Sequence, residues 1–276
     1  MQIALQACSA QHPSAQATVA PALKAIDLAL AQGEQMAIIG PSGAGKTTLL
    51  HLMACALKPT RGQLLLDGRD PWALRTADLQ RLRGQLCLAP QVPPLPARQR
   101  VITAVLAGLL PGMGLWQSLG NLLYPRHIDL AETALARFDL ADKLFERVDR
   151  LSGGERQRVG LARLAVAHAR LLLVDEPLSA LDPERARQAC ASITAVAREQ
   201  QATLVATLHH VDMALQHFPR IVGLRDGEVV FDLPTVEVTP ERLTDLYARH
   251  LDELTGVPPL PDLSLASTPA VTLTCR

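Results

Sequence analysis

Short apolar runs alternate with helix-patterned stretches along most of this 276-residue chain. Strand-like runs occupy residues 35–39, 171–175, 203–207 and 221–224, and the apolar residues after the first run recur with helical spacing. Strands that alternate with helices in this way predict a mainly parallel sheet, with its chemistry at the carboxyl ends of the strands. The turn sequence at 225–227 predicts a hairpin after the last strand. We therefore expect an α/β fold.

The pattern changes between residues 92 and 150, where several prolines are followed by helical periodicity. Apolar residues recur with that period over 101–110 and 130–144, which predicts a mostly helical insertion. We expect one domain over residues 1–250, with the insertion as its helical part. The proline-rich stretch 251–276 has no clear period and is predicted to be a flexible tail.

Charge, cysteine content and the length of apolar runs indicate which partners and which compartment to expect. Lys plus Arg and Asp plus Glu both number 27, so the net charge is near zero and gives no reason to expect a nucleic-acid partner. The 5 cysteines are scattered without a CxxC pair, which is typical of a reducing compartment. No uninterrupted apolar run approaches the roughly 20 residues of a membrane-spanning helix, so a membrane role has to be peripheral, through a partner.

The segment GPSGAGKT, residues 40–47, follows the first strand-like run and opens the helical pattern after it. It fits GxxxxGK[ST], in which a glycine-rich turn wraps phosphates with backbone N–H groups. We expect Lys46 to neutralise β- and γ-phosphate oxygens and Thr47 to hold Mg²⁺. The plainer alternative is a glycine-rich turn before a buried helix. The nucleotide-binding candidates from this loop are Gly40, Pro41, Ser42, Gly43, Ala44, Gly45, Lys46, Thr47 and Thr48.

Two carboxylates follow the apolar strand 171–174. At the strand end, Asp175 is placed to support Mg²⁺, and Glu176 is placed to take a proton from water that attacks a metal-bound phosphate. Two surface acids that begin a turn at Pro177 are the plainer interpretation of the same residues. Because they accompany a phosphate loop, the pair predicts ATP hydrolysis.

A second phosphate-binding element is predicted at Ser152, Gly153, Gly154 and Glu155. The order Ser-x-x-Glu is a capping box, so its simplest role is to begin a helix. The two glycines also expose the N–H groups of that helix N-terminus, where an anion can bind. One phosphate loop and a separate anion site in a single chain indicate that two copies share each nucleotide.

Two further residues are candidates by position. His209 follows the strand-like run 203–207 and is placed to sense the γ-phosphate, although a histidine at a strand end is more often a satisfied polar residue. Gln91 lies where the core meets the helical insertion. From there it would report the nucleotide state to the insertion.

With these segments in this order, the chain resembles the ATP-binding subunit of an ABC transporter, whose signature LSGGE occurs at residues 151–155. The resemblance implies a P-loop NTPase fold with a helical insertion and a small N-terminal antiparallel β part. It implies the Q-loop role and a metal contact for Gln91, and the D-loop role for Asp182. His12 stands where the family has an aromatic ring that stacks on adenine.

The same resemblance makes Glu176 the catalytic base and His209 the switch histidine. It implies ATP and Mg²⁺ as cofactors, a head-to-tail homodimer, and two transmembrane permease subunits that the dimer drives. The subunit would then lie peripherally at the cytoplasmic face of the inner membrane.

A narrower similarity is to the ATPases of phosphonate importers. It rests on a tryptophan-bearing segment at 105–119 and on the stretch Thr207-Leu208-His209-His210-Val211-Asp212, which resembles the switch segment of those ATPases. This similarity implies uptake of phosphonates or phosphite-like anions, delivered to the permease by an external phosphonate-binding protein. An importer of another small anion, an exporter subunit, and a soluble ABC protein of DNA repair or translation are the alternatives.

Overall fold

The computed structural model describes residues 1–11, 21–114, 117–120 and 127–248. The predictions for His12, for the tryptophan within the 105–119 segment and for the 251–276 tail therefore lie outside the described residues. Within the described ranges, no helix is both long enough and apolar enough to cross a membrane.

A small antiparallel sheet forms the first layer. It contains β1 (Ile3–Ala10), β2 (Leu23–Leu30) and β4 (Arg61–Leu66), in the order β2-β1-β4. Buried and exposed residues alternate along much of β2, so one face of this sheet covers the core and the other faces solvent. The expected small N-terminal antiparallel part is confirmed.

The second sheet has six strands in the order β5-β6-β7-β3-β8-β9. Its strands are β3 (Gln35–Ile39), β5 (Leu86–Ala89), β6 (Leu171–Asp175), β7 (Thr203–Thr207), β8 (Arg220–Arg225) and β9 (Glu228–Pro234). The pairings are parallel except that between β8 and β9, which is the predicted hairpin. Every residue of β3, β6 and β7 is buried, as expected for central strands covered on both faces.

Hydrophobic clusters cover both faces of this sheet, and alternate residues of β6 divide between them. Leu172 and Val174 belong to one cluster, which also holds the helical insertion, whereas Leu171 and Leu173 belong to the other, next to the antiparallel sheet. The chain is thus layered around one central sheet, and the predicted mainly parallel α/β architecture is confirmed.

The helices of the described ranges fill the connections between strands, except the last, which follows β9. They are α1 (Lys46–Met53), α2 (Thr76–Arg83), α3 (Val101–Leu106), α4 (Ile128–Ala136), α5 (Gly153–Val166), α6 (Pro183–Glu199), α7 (Val211–His217) and α8 (Pro240–Leu246).

Two helix predictions were too long. The 101–110 pattern forms α3 and then a 3₁₀ turn, Ala107–Gly112, that contains Pro111, whose ring cannot continue an α-helix. The 130–144 pattern is α-helical only as far as Ala136, because the backbone turns left-handed at Asp139, with φ of 56°, and a short 3₁₀ turn, Ala141–Lys143, follows.

The two ends of the helical insertion are joined by backbone hydrogen bonds. Val101 N donates to Glu146 O at 2.9 Å, and Val148 N donates to Gln99 O at 3.0 Å. We name residues 152–155 the signature turn. These main-chain hydrogen bonds therefore connect the segment that follows Gln91 to the segment that precedes this turn.

Candidate nucleotide-binding and hydrolysis site

The predicted site residues meet where parallel strands end. Ile38 of β3 and Asp175 of β6 are both in register with Thr207 of β7. The loops that follow these strands therefore leave the same edge of the sheet, which brings together residues that are far apart in the sequence.

The loop after β3 requires glycine at two positions. Gly40 has φ of 149°, and a Cβ there would lie 1.9 Å from the carbonyl oxygen of Leu224. Gly45 has φ of 102°, and its Cβ would lie 2.7 Å from the carbonyl oxygen of Ala22. Both the backbone conformation and the adjacent backbone segments exclude a side chain at these two positions. The turn therefore requires the glycines of the motif.

Lys46 is the first residue of α1 and is buried. Its ammonium Nζ donates to the carbonyl oxygens of Gly40, at 2.7 Å, and of Pro41, at 3.2 Å. The lysine therefore lies folded over the loop that we name the phosphate loop, residues 40–48. Its charge and the N–H groups of the first turn of α1 make this loop suited to an anion.

Asp175 is held by two hydroxyl groups. Thr47 Oγ1 donates to Asp175 Oδ2 at 2.9 Å, and Thr207 Oγ1 donates to Asp175 Oδ1 at 2.7 Å. The carboxylate is buried at the end of β6, so these bonds compensate for its lost hydration. The predicted pair of Thr47 and Asp175 is thus brought together, while the part played by Thr207 was missed.

Glu176 lies at the centre of a polar cluster. Gln91 Nε2 donates to Glu176 Oε2 at 2.8 Å, and His209 Nε2 lies 2.5 Å from Glu176 Oε1. The three residues that the sequence proposed separately therefore share one set of contacts. The Glu176 side chain is 13% exposed, so it is enclosed but still within reach of solvent.

The electrostatic environment keeps the Glu176 carboxyl ionised. Burial raises the pKa of this group, but the hydrogen bond from His209, the charge of His209 and the charge of Lys46 together lower it by more. The pKa of Glu176 consequently lies below its ordinary value of 4.5. At neutral pH the group is a carboxylate, the form that accepts a proton.

The backbone of Glu176 is itself strained, and hydrogen bonds hold it in place. Its φ is 46°, a left-handed conformation that is uncommon for residues other than glycine. Its N–H donates to Thr207 Oγ1 at 2.9 Å, and its carbonyl accepts from Gln157 Nε2 at 2.9 Å. Strain of this kind persists only where surrounding contacts impose it, which points to a required orientation of the side chain.

The signature turn begins α5 with the predicted capping box. Ser152 N donates to Glu155 Oε2 at 2.7 Å, and Glu155 N donates to Ser152 Oγ at 3.2 Å. The hydrogen bonds from the Ser152 backbone and side chain lower the pKa of Glu155. Gly154 is packed so closely that a Cβ there would lie 2.8 Å from the carbonyl oxygen of Ala180.

Asp182 follows Ala180 and caps α6, where its Oδ1 accepts from Arg185 N at 3.0 Å. The fold therefore groups Asp182 with the signature turn. Gln91, Glu176 and His209 share direct side-chain contacts at the end of β6. The sequence-predicted site thus comprises two sets of contacts, and Gln157 of α5 links them through the Glu176 carbonyl.

Metal-binding capacity in the described ranges depends on the phosphate loop and Asp175. No three His, Cys, Asp or Glu side chains there form a group that could hold an ion by themselves. The hydroxyl of Thr47 and the carboxylate of Asp175 are nevertheless the oxygen donors that Mg²⁺ prefers when phosphates supply the rest of its coordination.

Comparison with known families gives a match to the ABC transporter family model over residues 23–179. This range contains the phosphate loop, Gln91, the signature turn and Glu176, and it ends before Asp182 and His209. The predicted resemblance is confirmed, and with it the expectation that the chain binds nucleotide.

Close relatives match along the whole chain. The phosphonates import ATP-binding protein PhnC of Polaromonas sp. and PhnC 2 of Albidiferax ferrireducens are each 65% identical over 277 residues, covering 100% of this chain and 100% of the relative.

Solved structures agree with the fold. A dimeric ATP-binding cassette in a post-hydrolysis state, bound to ADP and Pi, has a TM-score of 0.71 and 25% identity, over 84% of this chain and 98% of the other.

Proposed function

Because this chain belongs to the ABC transporter family as an ATP-binding subunit, we propose that it hydrolyses ATP to drive phosphonate import. The observation that carries the proposal is the 65% identity to phosphonate import ATP-binding proteins along the full chain. The cluster around Glu176 supplies the matching chemistry, because it offers a buried carboxylate next to a phosphate loop.

We propose that the phosphate loop holds the β- and γ-phosphates of ATP. Lys46 then exchanges its bonds to Gly40 O and Pro41 O for phosphate oxygens, and the amides of the α1 N-terminus add further donors. Mg²⁺, held by the Thr47 hydroxyl with Asp175 and Gln91, would neutralise charge on the phosphates. Asp175 is already oriented for this by Thr207.

Glu176 is proposed as the general base. Its carboxylate, kept ionised by His209 and Lys46, takes the proton from the water that attacks the γ-phosphorus. Gln91 and His209 contact the two carboxylate oxygens, so both residues orient the base. His209 is further proposed to contact the γ-phosphate. It would then sense whether the bond between the β- and γ-phosphates of ATP is intact.

Two copies of the chain are proposed to form each complete site. The signature turn and Asp182 lie together in one chain, and we infer that they serve the nucleotide of a second copy. The dimeric ATP-binding cassette among the structural relatives is consistent with this arrangement. Closure on ATP and reopening after hydrolysis would supply the movement for transport.

The dimer is proposed to lie at the cytoplasmic face of the inner membrane, on two permease subunits fed by an external phosphonate-binding protein. A groove of about 230 Å³ lies beneath the Gln91 segment and is lined largely by apolar residues, including Pro93, Leu95 and Leu164. Val92 beside it is 79% exposed. We propose that a segment of the permease occupies this groove, where it would respond to movement of Gln91.

Growth on a phosphonate as the only phosphorus source tests the proposal. Deletion of the gene, in a strain without a second such importer, should abolish growth on phosphonate and leave growth on phosphate intact. The wild-type gene should restore growth, and the Glu176→Gln variant should not.

Glu184→Gln is the matched control, because Glu184 is an exposed acid in α6 and should restore growth fully. Normal growth of the deletion strain on phosphonate would contradict the substrate assignment. Restoration by Glu176→Gln would contradict the role of the base.

A further inference from the structure

Tyr247 connects the end of α8 to the phosphate loop. Its side chain is 1% exposed, among the most buried of the large residues in the described ranges. Gly40 N donates a hydrogen bond to Tyr247 Oη at 3.1 Å. Leu243 and Leu246 of the same helix are also buried in the core, so the tyrosine is presented from a fixed element.

The backbone of Gly40 is closely confined within the phosphate loop. Its N–H is bonded to Tyr247, its carbonyl accepts from Lys46, and its Cα faces the Leu224 carbonyl too closely for any side chain. A buried N–H group that loses its partner retains the cost of its lost hydration. The Tyr247 hydroxyl therefore fixes one end of the loop.

The hydrogen bond between Gly40 and Tyr247 matters most when ATP binds, and this part of the inference rests on the proposed function. Lys46 then leaves the Gly40 carbonyl for the phosphates, and a hydrogen bond that holds Gly40 is given up. We propose that Tyr247 is a positioning residue for ATP binding, which keeps the phosphate loop in its phosphate-accepting shape after Lys46 has turned away. Nucleotide affinity therefore depends on how α8 packs against the core.

The Tyr247→Phe variant tests this inference, because it removes the hydroxyl and keeps the buried ring. ATP affinity should fall about three- to tenfold, the effect of one hydrogen bond, while kcat at saturating ATP stays within about twofold. Thr244→Val is the matched control: it removes a hydroxyl of the same helix, one that is bonded only locally to Pro240 O at 2.9 Å, and should leave ATP affinity unchanged.

Equal ATP affinity in wild type and Tyr247→Phe would overturn the inference, as would a loss of kcat at unchanged affinity. Hydrogen exchange on ATP-bound wild type gives a measure that needs no variant: the Gly40 amide should be protected, and exchange as fast as at Gly43 would overturn the inference. A wild type that binds no ATP would overturn the proposed function as well.

Discussion

Gln157 in α5 donates a hydrogen bond from Nε2 to the backbone carbonyl of Glu176 at 2.9 Å. The donor lies on the helix that begins with the signature turn, and the acceptor belongs to the residue proposed as the base. In a head-to-tail dimer these two elements would serve different nucleotides. In such a dimer, Gln157 would directly connect the two ATP sites.

Removal of this connection should slow hydrolysis. In Gln157→Leu the strained backbone of Glu176 loses a donor, and misplacement of the carboxylate should lower kcat by about 10- to 100-fold. ATP affinity should change little, because the phosphate loop is untouched. Steady-state hydrolysis and equilibrium ATP binding measure the two effects.

Gln200→Leu is the control for Gln157→Leu. Gln200 Nε2 also donates to a backbone carbonyl of α5, that of Ala165, at 2.7 Å, but this bond is remote from Glu176. The control should retain wild-type kcat. An equal loss in both variants would show a general effect of destabilising α5 and would contradict a specific role for Gln157.

Glu176→Gln should retain ATP binding and lose turnover. The amide has the size of the carboxylate but accepts no proton, so kcat should fall by about 100-fold or more. With ATP bound and unhydrolysed, the variant should accumulate as a dimer, which light scattering detects. A monomer with normal turnover would refute the assignment.

The pH profile of kcat should depend on His209. In the wild type the lowered pKa of Glu176 keeps the base ionised, so its protonation limits activity only below the ordinary value of 4.5. His209→Ala removes an interaction that lowers this pKa and leaves the burial that raises it. The acid limb of the profile should therefore move to higher pH.

The same shift has a consequence for stability. Because the pKa of Glu176 is lower in the folded chain than in the unfolded one, its ionisation stabilises the fold above the unfolded value, and this contribution is lost as the pH falls through the folded pKa. His210→Ala is the control for the pH profile of kcat and for the pH dependence of stability, because within the described residues His210 makes no hydrogen bond or ion pair with Glu176. An acid limb that moves equally in both variants would count against His209.

Mixed dimers should reveal the shared site. Lys46→Ala alone should be inactive, since the lysine that would bind the phosphates is gone, and Ser152→Arg alone should be inactive because the side chain fills the signature turn. Mixed together, the two chains form heterodimers with one intact composite site, and hydrolysis should return in part. Mixtures as inactive as the separate variants would argue against two copies sharing each nucleotide.

Local motifs made much of the site predictable. The glycines, Lys46 and Thr47 occur in one short segment, and Asp175 and Glu176 follow one apolar strand. Their chemistry is determined by neighbours in the sequence, and the structure places them as expected at the strand ends.

Other contacts were not predictable because they depend on register and long-range packing. Thr207 contacts Asp175 because β6 and β7 pair in one register, and Tyr247 contacts Gly40 although they are 207 residues apart in the sequence. For Gln157, the sequence predicts only that it lies in a helix and gives no sign of its contact with Glu176. The strand Leu86–Ala89 was also missed, since its four half-buried residues give no clear pattern.

The position of β3 has a consequence for how the chain acquires its activity. This strand is among the first to be synthesised, yet it lies between β7 and β8, which come from the last third of the described chain. Until residue 225 has left the ribosome, Gly40 lacks the Leu224 carbonyl beside it and the phosphate loop lacks its flanking strands. Contacts this distant in sequence form slowly. Nucleotide affinity should therefore arise only late in synthesis, and chains that end before β8 should not hydrolyse ATP.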